Sequence, residues 1–402
     1  METALDRFLR YARLDTTSDE TTGTTPSSQG QWALARLLRD EMAALGLQKV
    51  LLDEHCYAYG LIPASADHQP TIALIAHLDT VAAVPGRAFN PSVKRYTGDP
   101  LVLNEALGLT LSEADFPALA KFRGQDLVVT DGTTVLGADD KAGIAQIMTL
   151  AERLMEDATI PHGDIWLVFT PDEEIGSGAD LLDLDRISAD FAYTVDGGAL
   201  QIISYETFNA ASATVRIKGR NIHPGSAKGK MKNAVTIAMR FHSLLPEREV
   251  PEQTEGYEGF YHLSKIAGEE EEASLSYILR DHDADKLEEK KQRMLQAAEE
   301  INRQHGAGTA LVSLRDSYRN MGEIITRYPQ VMDRAKRAIA SCGMTPETVP
   351  IRGGTDGARL SFRGLPCPNL GTGGENAHGI YEFLPVQALQ KMVEVLIEIV
   401  RA

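Results

Sequence analysis

The chain has 402 residues, enough for about two domains, and 43% of them are hydrophobic, enough to fill sizeable cores. Its formal charge is −17, from 40 Lys+Arg against 57 Asp+Glu, which makes it a poor electrostatic partner for nucleic acid or anionic membranes. The three cysteines, Cys56, Cys342 and Cys367, are few and odd in number. They read as reduced thiols of a cytosolic (cytoplasmic) protein, not as a disulfide framework or a Cys metal site. No apolar run approaches the roughly 18 residues of a membrane span. Charges interleaved through Met1–Arg10 leave no signal-peptide core.

Leu5, Phe8 and Leu9 give a first short helix, and the polar stretch from Thr16 to Ser28 is a loop. Ser28 followed by Gln31 has the form of a capping box, opening a helix from about Gly30 to Leu45. Thr71–Ala76 is an almost unbroken apolar run, the signature of a strand buried on both faces, and it ends in His77-Leu78-Asp79. Pro85 to about Phe122 reads as long loops with a small helix near Ala118. After the strand Leu127–Thr130, a Gly-containing turn leads through Asp139 and Asp140 into a helix running to Leu154. The strand Asp164–Thr170 ends in Pro171-Asp172-Glu173-Glu174, and Phe191–Val195 ends in Asp196. Strands alternating with helices argue for an α/β domain with a mainly parallel sheet, whose ligands gather at the carboxyl ends of the strands.

From about Phe208 the pattern changes. Ala211–Lys218 alternates as a half-buried strand does, a helix follows over Asn233–Leu245, and two strands flank the acidic run Glu269–Glu272. A charged helix, Ala284–Gln304, and the strand Thr309–Leu314 complete a βαββαβ order, which fits a ferredoxin-like module. The expected organisation is a first α/β part at 1–207, an inserted domain at 208–320, and the rest of the α/β domain at 321–402. The last part carries a helix at Gln330–Cys342, the strand-like Pro366–Leu370, and a final helix opened by Pro385 at its first position.

Asp139 alone has an ordinary explanation, since Asp at a helix entrance caps free N–H groups. Its company argues otherwise. His77, Asp139, Glu174, Asp196 and His378 are a poor set for one structural zinc, which takes four ligands and is often Cys-rich. They suit two metal ions bridged by one carboxylate, able to polarise a carbonyl and bring the pKa of a shared water to about 7. Asp79, two residues beyond His77, is placed to accept the other ring N–H of that histidine. Glu173 is placed to serve as general base and then as general acid to a leaving amine.

These stretches, in this order, resemble the M20 family of metallopeptidases over essentially the whole chain. Phe208–Ser212, Thr254–His262 and Arg352–Gly357 resemble in particular its tripeptide aminopeptidases. The resemblance implies a zinc-exopeptidase-like catalytic domain and two Zn2+ per subunit, one held by His77, Asp139 and Asp196, the other by Asp139, Glu174 and His378. It also implies a catalytic Glu173 acting on a metal-bridging water, a supporting Asp79, a cis Asp139–Asp140 bond and a homodimer through the inserted lid domain. The expected substrates are small peptides. An extended tripeptide spans roughly 10 Å, and Arg280 and Arg352 are candidates to clasp its carboxylate bidentately. His223, in Asn221–Gly225, resembles the family's oxyanion-stabilising histidine. Another M20-type activity, on dipeptides, C-terminal residues or N-acyl amino acids, is the alternative that the metal ligands leave open. The remaining histidines and the cysteines read as structural.

Overall fold

The apolar run after Thr71 becomes the strand Ile72–His77, buried along its whole length. In this computed structural model, which describes residues 2–84 and 88–401, that strand lies between Ile165–Thr170 and Phe191–Val195 and is parallel to both. The register sets His77 beside Thr170. The residues following three adjacent strands therefore emerge at one sheet edge: Leu78 and Asp79, Pro171 to Glu174, and Asp196. Outward on one side come Ala58–Ile62 and Gln48–Leu52; on the other come Asn369–Leu370, Ile202–Ser204 and Glu347–Thr348. The sheet is parallel at its centre and takes antiparallel neighbours towards its margins.

Both faces of this sheet are covered, which is why its central strands read as continuous apolar runs. On one face Ala73, Ile75, Trp166 and Val168 share a core with Leu182, Ile187 and Leu360. The helix Ala138–Glu156 packs against Ile72–His77 and is itself flanked by Ala4–Tyr11 and Val386–Val400. These elements belong to one compact unit, formed by residues up to Tyr205, Glu323–Val349 and residues from Thr355 onward. Among the described residues, no helix is long and apolar enough to cross a membrane.

Three local expectations change. The stretch expected as loops carries the short strands Ser92–Arg95, Leu101–Asn104 and Leu109–Leu111 before the 3-10 helix Pro117–Phe122. Strands of three or four half-exposed residues are too short for a period of two to stand out. Pro85, Gly86 and Arg87, where that stretch begins, lie outside the described residues. Pro385 precedes the last helix as its N-cap and ends the strand Phe383–Pro385. The Ser28 side chain makes no capping bond to the backbone of Gln29–Ala44; its hydroxyl instead accepts from Gln31 Nε2 at 3.2 Å, an amide that also reaches Asp172.

The second unit spans Glu206–Gly322 with Pro350–Gly354. Its strands Asn209–Lys218, Phe260–Gly268, Glu272–Asp281 and Ala310–Tyr318 form one antiparallel sheet. Two helices, Ala234–His242 and Ala284–His305, complete the βαββαβ order. Ala273, Leu275, Tyr277 and Leu279 point to one face and share a core with Phe241, Met294 and Ile301. The short return segment was expected with the α/β part. Hydrogen bonds from Ile351 N to Glu206 O and from Phe208 N to Gly353 O tie it to the second unit.

Candidate metal centre

Asp139 sits at the middle of the site because the chain departs from helical geometry there. The helix Ala138–Glu156 has non-helical φ/ψ at Asp139 and Asp140, the peptide bond between them is cis, and Gly137 precedes them at φ 74°. The N-cap residue, Gly137, offers no side chain to cap this helix. The Asp139 carboxylate instead points to two histidines at once. Oδ1 lies 2.9 Å from His77 Nε2, and Oδ2 lies 3.2 Å from His378 Nε2. Each oxygen thus belongs to a different cluster. One joins His77, Asp139 and Asp196; the other joins Asp139, Glu174 and His378, and within each the donor atoms lie within 4.8 Å of one another.

The chemistry of the set fits metal ions. With neutral histidines, three carboxylates converge without an ammonium or guanidinium among the clustered groups. Glu174 Oε1 is buried and accepts no well-formed hydrogen bond, although His378 Nε2 lies 3.1 Å away. A buried carboxylate oxygen left in this way is costly unless a cation meets it. Without metal, protons take that place. Burial works against a charged His77, but Asp139, Asp196 and Asp79 outweigh it and hold its pKa well above the ordinary histidine range. The hydrogen bond to Asp139 and the nearby Glu174 carboxylate raise His378 to about 11. Burial resists ionisation of Asp139, yet His378 and His77 hold it well below the usual carboxylate range. Metal binding releases such protons.

Asp79 is placed differently from expectation. The hydrogen bond of His77 Nδ1 goes to the Asp79 main-chain carbonyl at 3.0 Å, while the carboxylate Oδ1 is 3.4 Å away. A carbonyl acceptor fixes the ring tautomer as a carboxylate would. The fully buried carboxylate accepts the backbone N–H groups of Glu173, at 2.9 Å, and Glu174, at 3.2 Å. Burial, and then the charge of Asp196, push the Glu173 carboxyl well above its usual range. A carboxylate so destabilised as an anion readily takes up a proton.

Several supporting groups carry no sequence pattern of their own. Glu382 is buried and accepts the N–H groups of Leu136 and Gly137, each at 2.8 Å, and of Asp139 at 3.0 Å. Its position four residues after His378 was the available signal. Asp140 Oδ2 accepts the His77 N–H at 3.1 Å. Buried Asp356 accepts from Thr170 Oγ1 at 2.9 Å.

The remaining candidates lie in the second unit. Arg280, on Glu272–Asp281, stacks over the Tyr318 ring at 5.1 Å and donates to Leu279 O. Burial works against its charge, and among the described residues no carboxylate pairs with it. Arg352 is already engaged. It donates to Gly256 O and Glu258 O, both at 2.9 Å, and to Thr254 Oγ1 at 2.8 Å, and lies over Phe208 and Phe260. His223 is exposed and accepts the N–H of Gly225.

The chain is similar to known proteins along its whole length. The Peptidase dimerisation domain family matches residues 205–306. The chain is 49% identical to a Peptidase T from Caldanaerobacter subterraneus over 402 residues, covering 100% of this chain and 98% of that one. It is 48% identical to a Peptidase T from Halothermothrix orenii, with the same coverage. The crystal structure of the aminopeptidase PepT from Bacillus cereus superposes with a TM-score of 0.77 at 26% identity, covering 99% of this chain and 97% of that one. With such identity along its whole length, the chain belongs to the peptidase T family of M20 metallopeptidases.

Proposed function

We propose that the chain is a metal-dependent tripeptide aminopeptidase that releases the N-terminal residue. The observation that carries this reading is the Asp139 carboxylate, with one oxygen turned to His77 and the other to His378. His77, Asp139 and Asp196 would hold one ion; Asp139, Glu174 and His378 would hold the second. Imidazole nitrogens and carboxylate oxygens are donors that zinc accepts. The chemistry supplied by the bound ions is polarisation of the scissile carbonyl and a lowered pKa for the attacking water.

The protein's own groups complete the reaction. Glu173 takes a proton from the attacking water and later delivers it to the leaving amine, so that the peptide bond yields a free carboxylate and a new amino terminus. Asp79 holds the backbone of the Glu173–Glu174 turn. Arg280, short of an anionic partner, takes the substrate carboxylate through charge-assisted hydrogen bonds. Arg352 supports the loop at 254–258. His223 donates to the tetrahedral oxyanion, a role worth about 3 kcal/mol. The match to the Peptidase dimerisation domain supports a homodimer, from whose second copy that histidine would come.

The test is hydrolysis of an unblocked tripeptide beside its N-acetylated and dipeptide counterparts, with chelator and then zinc added. Chelator-sensitive release of the N-terminal residue from the free tripeptide alone is expected. Cleavage of the acetylated peptide or the dipeptide would assign another M20 activity.

A further inference from the structure

The residue before the proposed base is held in an unusual way. Asp172 is fully buried and has φ 58°, a left-handed conformation that costs a non-glycine residue about 1 kcal/mol or more. Its carboxylate accepts four hydrogen bonds' worth of contact from one short segment far away in sequence. Ser27 N lies 2.8 Å from Oδ2 and 3.0 Å from Oδ1, Ser27 Oγ donates to Oδ1 at 2.5 Å, and Gln31 Nε2 donates to Oδ1 at 2.7 Å. The contact is reciprocal, because Asp172 N donates to Gln31 Oε1 at 3.1 Å. Ser27 and Gln31 are buried as well.

The other side of the turn is equally fixed. Ser177 N donates to Asp172 O at 2.9 Å, and Gly176 N donates to Glu173 O at 2.6 Å. Asp79 takes the N–H groups of Glu173 and Glu174. The Glu173 backbone is therefore bound at both its polar groups, and the peptide entering it is set by the Asp172 side chain. If the Ser27 hydroxyl or the Gln31 amide were removed, the buried carboxylate would keep the Ser27 N–H but lose part of its compensation and be drawn towards water. The φ of Asp172 would relax with it, and Glu173 would swing away from its working position. Displacement of a catalytic group by about 1 Å can cost on the order of 100-fold in rate.

We propose that Ser27 and Gln31 act through Asp172 as positioning residues for Glu173, so that the segment leading into the helix Gln29–Ala44 braces the general base from behind. This rests on the reading of Glu173 as that base. The test uses the full-length, metal-saturated enzyme with Ser27→Ala, Gln31→Met and the conservative Ser27→Thr. Each of the first two should lower kcat about tenfold and leave KM within about twofold, while Ser27→Thr restores most of the loss. In a Glu173→Ala background, adding Gln31→Met should lower the residual rate no further, because both changes act on one unit.

Parental kcat in both Ser27→Ala and Gln31→Met would overturn the proposal. So would an equal fall from Gln31→Met in both backgrounds, or a lower metal content in the variants with the rate per bound metal unchanged, since the network would then serve the ligand Glu174. Full activity of Glu173→Ala itself would instead overturn the underlying reading of the base.

Discussion

Glu382 Oε1 accepts the backbone N–H of Asp139 at 3.0 Å. The other oxygen of Glu382 takes the N–H groups of Leu136 and Gly137. One buried carboxylate thus gathers the donors at the entrance of the central helix, and so sets the direction in which the bridging Asp139 side chain leaves the chain. Glu382→Gln keeps the size but places an amide N–H against these donors. Metal affinity should fall about 10- to 100-fold, as for other groups that orient a ligand, while kcat at saturating metal stays near the parental value. Competition with a chromogenic chelator measures the first and steady-state kinetics the second.

Asp356 gives the metal-free protein a pH dependence with a defined sign. Burial, eased by the hydrogen bond from Thr170, raises its pKa to about 7. In the unfolded chain the ordinary aspartate value is near 3.8. Between these values the folded state binds the proton more tightly, so stability falls as pH rises. This contribution is fully present below about pH 4 and is lost as pH passes through about 7. Urea midpoints of the metal-free protein should therefore decline across this window, and Asp356→Asn should flatten the decline.

Arg280 and Arg352 should separate cleanly. Arg280→Ala should raise KM for a free tripeptide by about 10- to 100-fold, the worth of hydrogen bonds between charged groups, and leave KM for the C-terminally amidated peptide nearly unchanged. Arg352→Ala removes three hydrogen bonds and two aromatic contacts within its own unit. It should lower the melting temperature, with a smaller effect on KM. Kinetics on the two peptides and a thermal melt check both.

Much of this was legible in the sequence where burial leaves a plain pattern. Ile72–His77 and Ile165–Thr170 are covered on both faces, so their apolar runs stand out, and the polar residues that end them mark one sheet edge. The alternation of Asn209–Lys218 likewise announces a sheet with one covered face. What stayed hidden acts through contacts that no local spacing encodes. Gln31 looks like part of a capping box, yet its amide serves Asp172, 141 residues away. Glu382 meets backbone groups, which any sequence would offer. Arg352 resembles a free carboxylate clamp until its backbone acceptors at Gly256 and Glu258 are seen. The short strands from Ser92 to Leu111 are fixed by pairing with partners and by the Tyr96, Leu119 and Phe383 core, not by their own pattern.

The central claim is that Glu173 moves the proton while its neighbours hold metal. The measurement that tests it most directly is metal content and turnover of Glu173→Ala side by side. The variant should bind two metal ions per chain and lose on the order of 1,000-fold in kcat, within the range for removing a general acid–base group. Parental turnover with both metals bound would contradict the account.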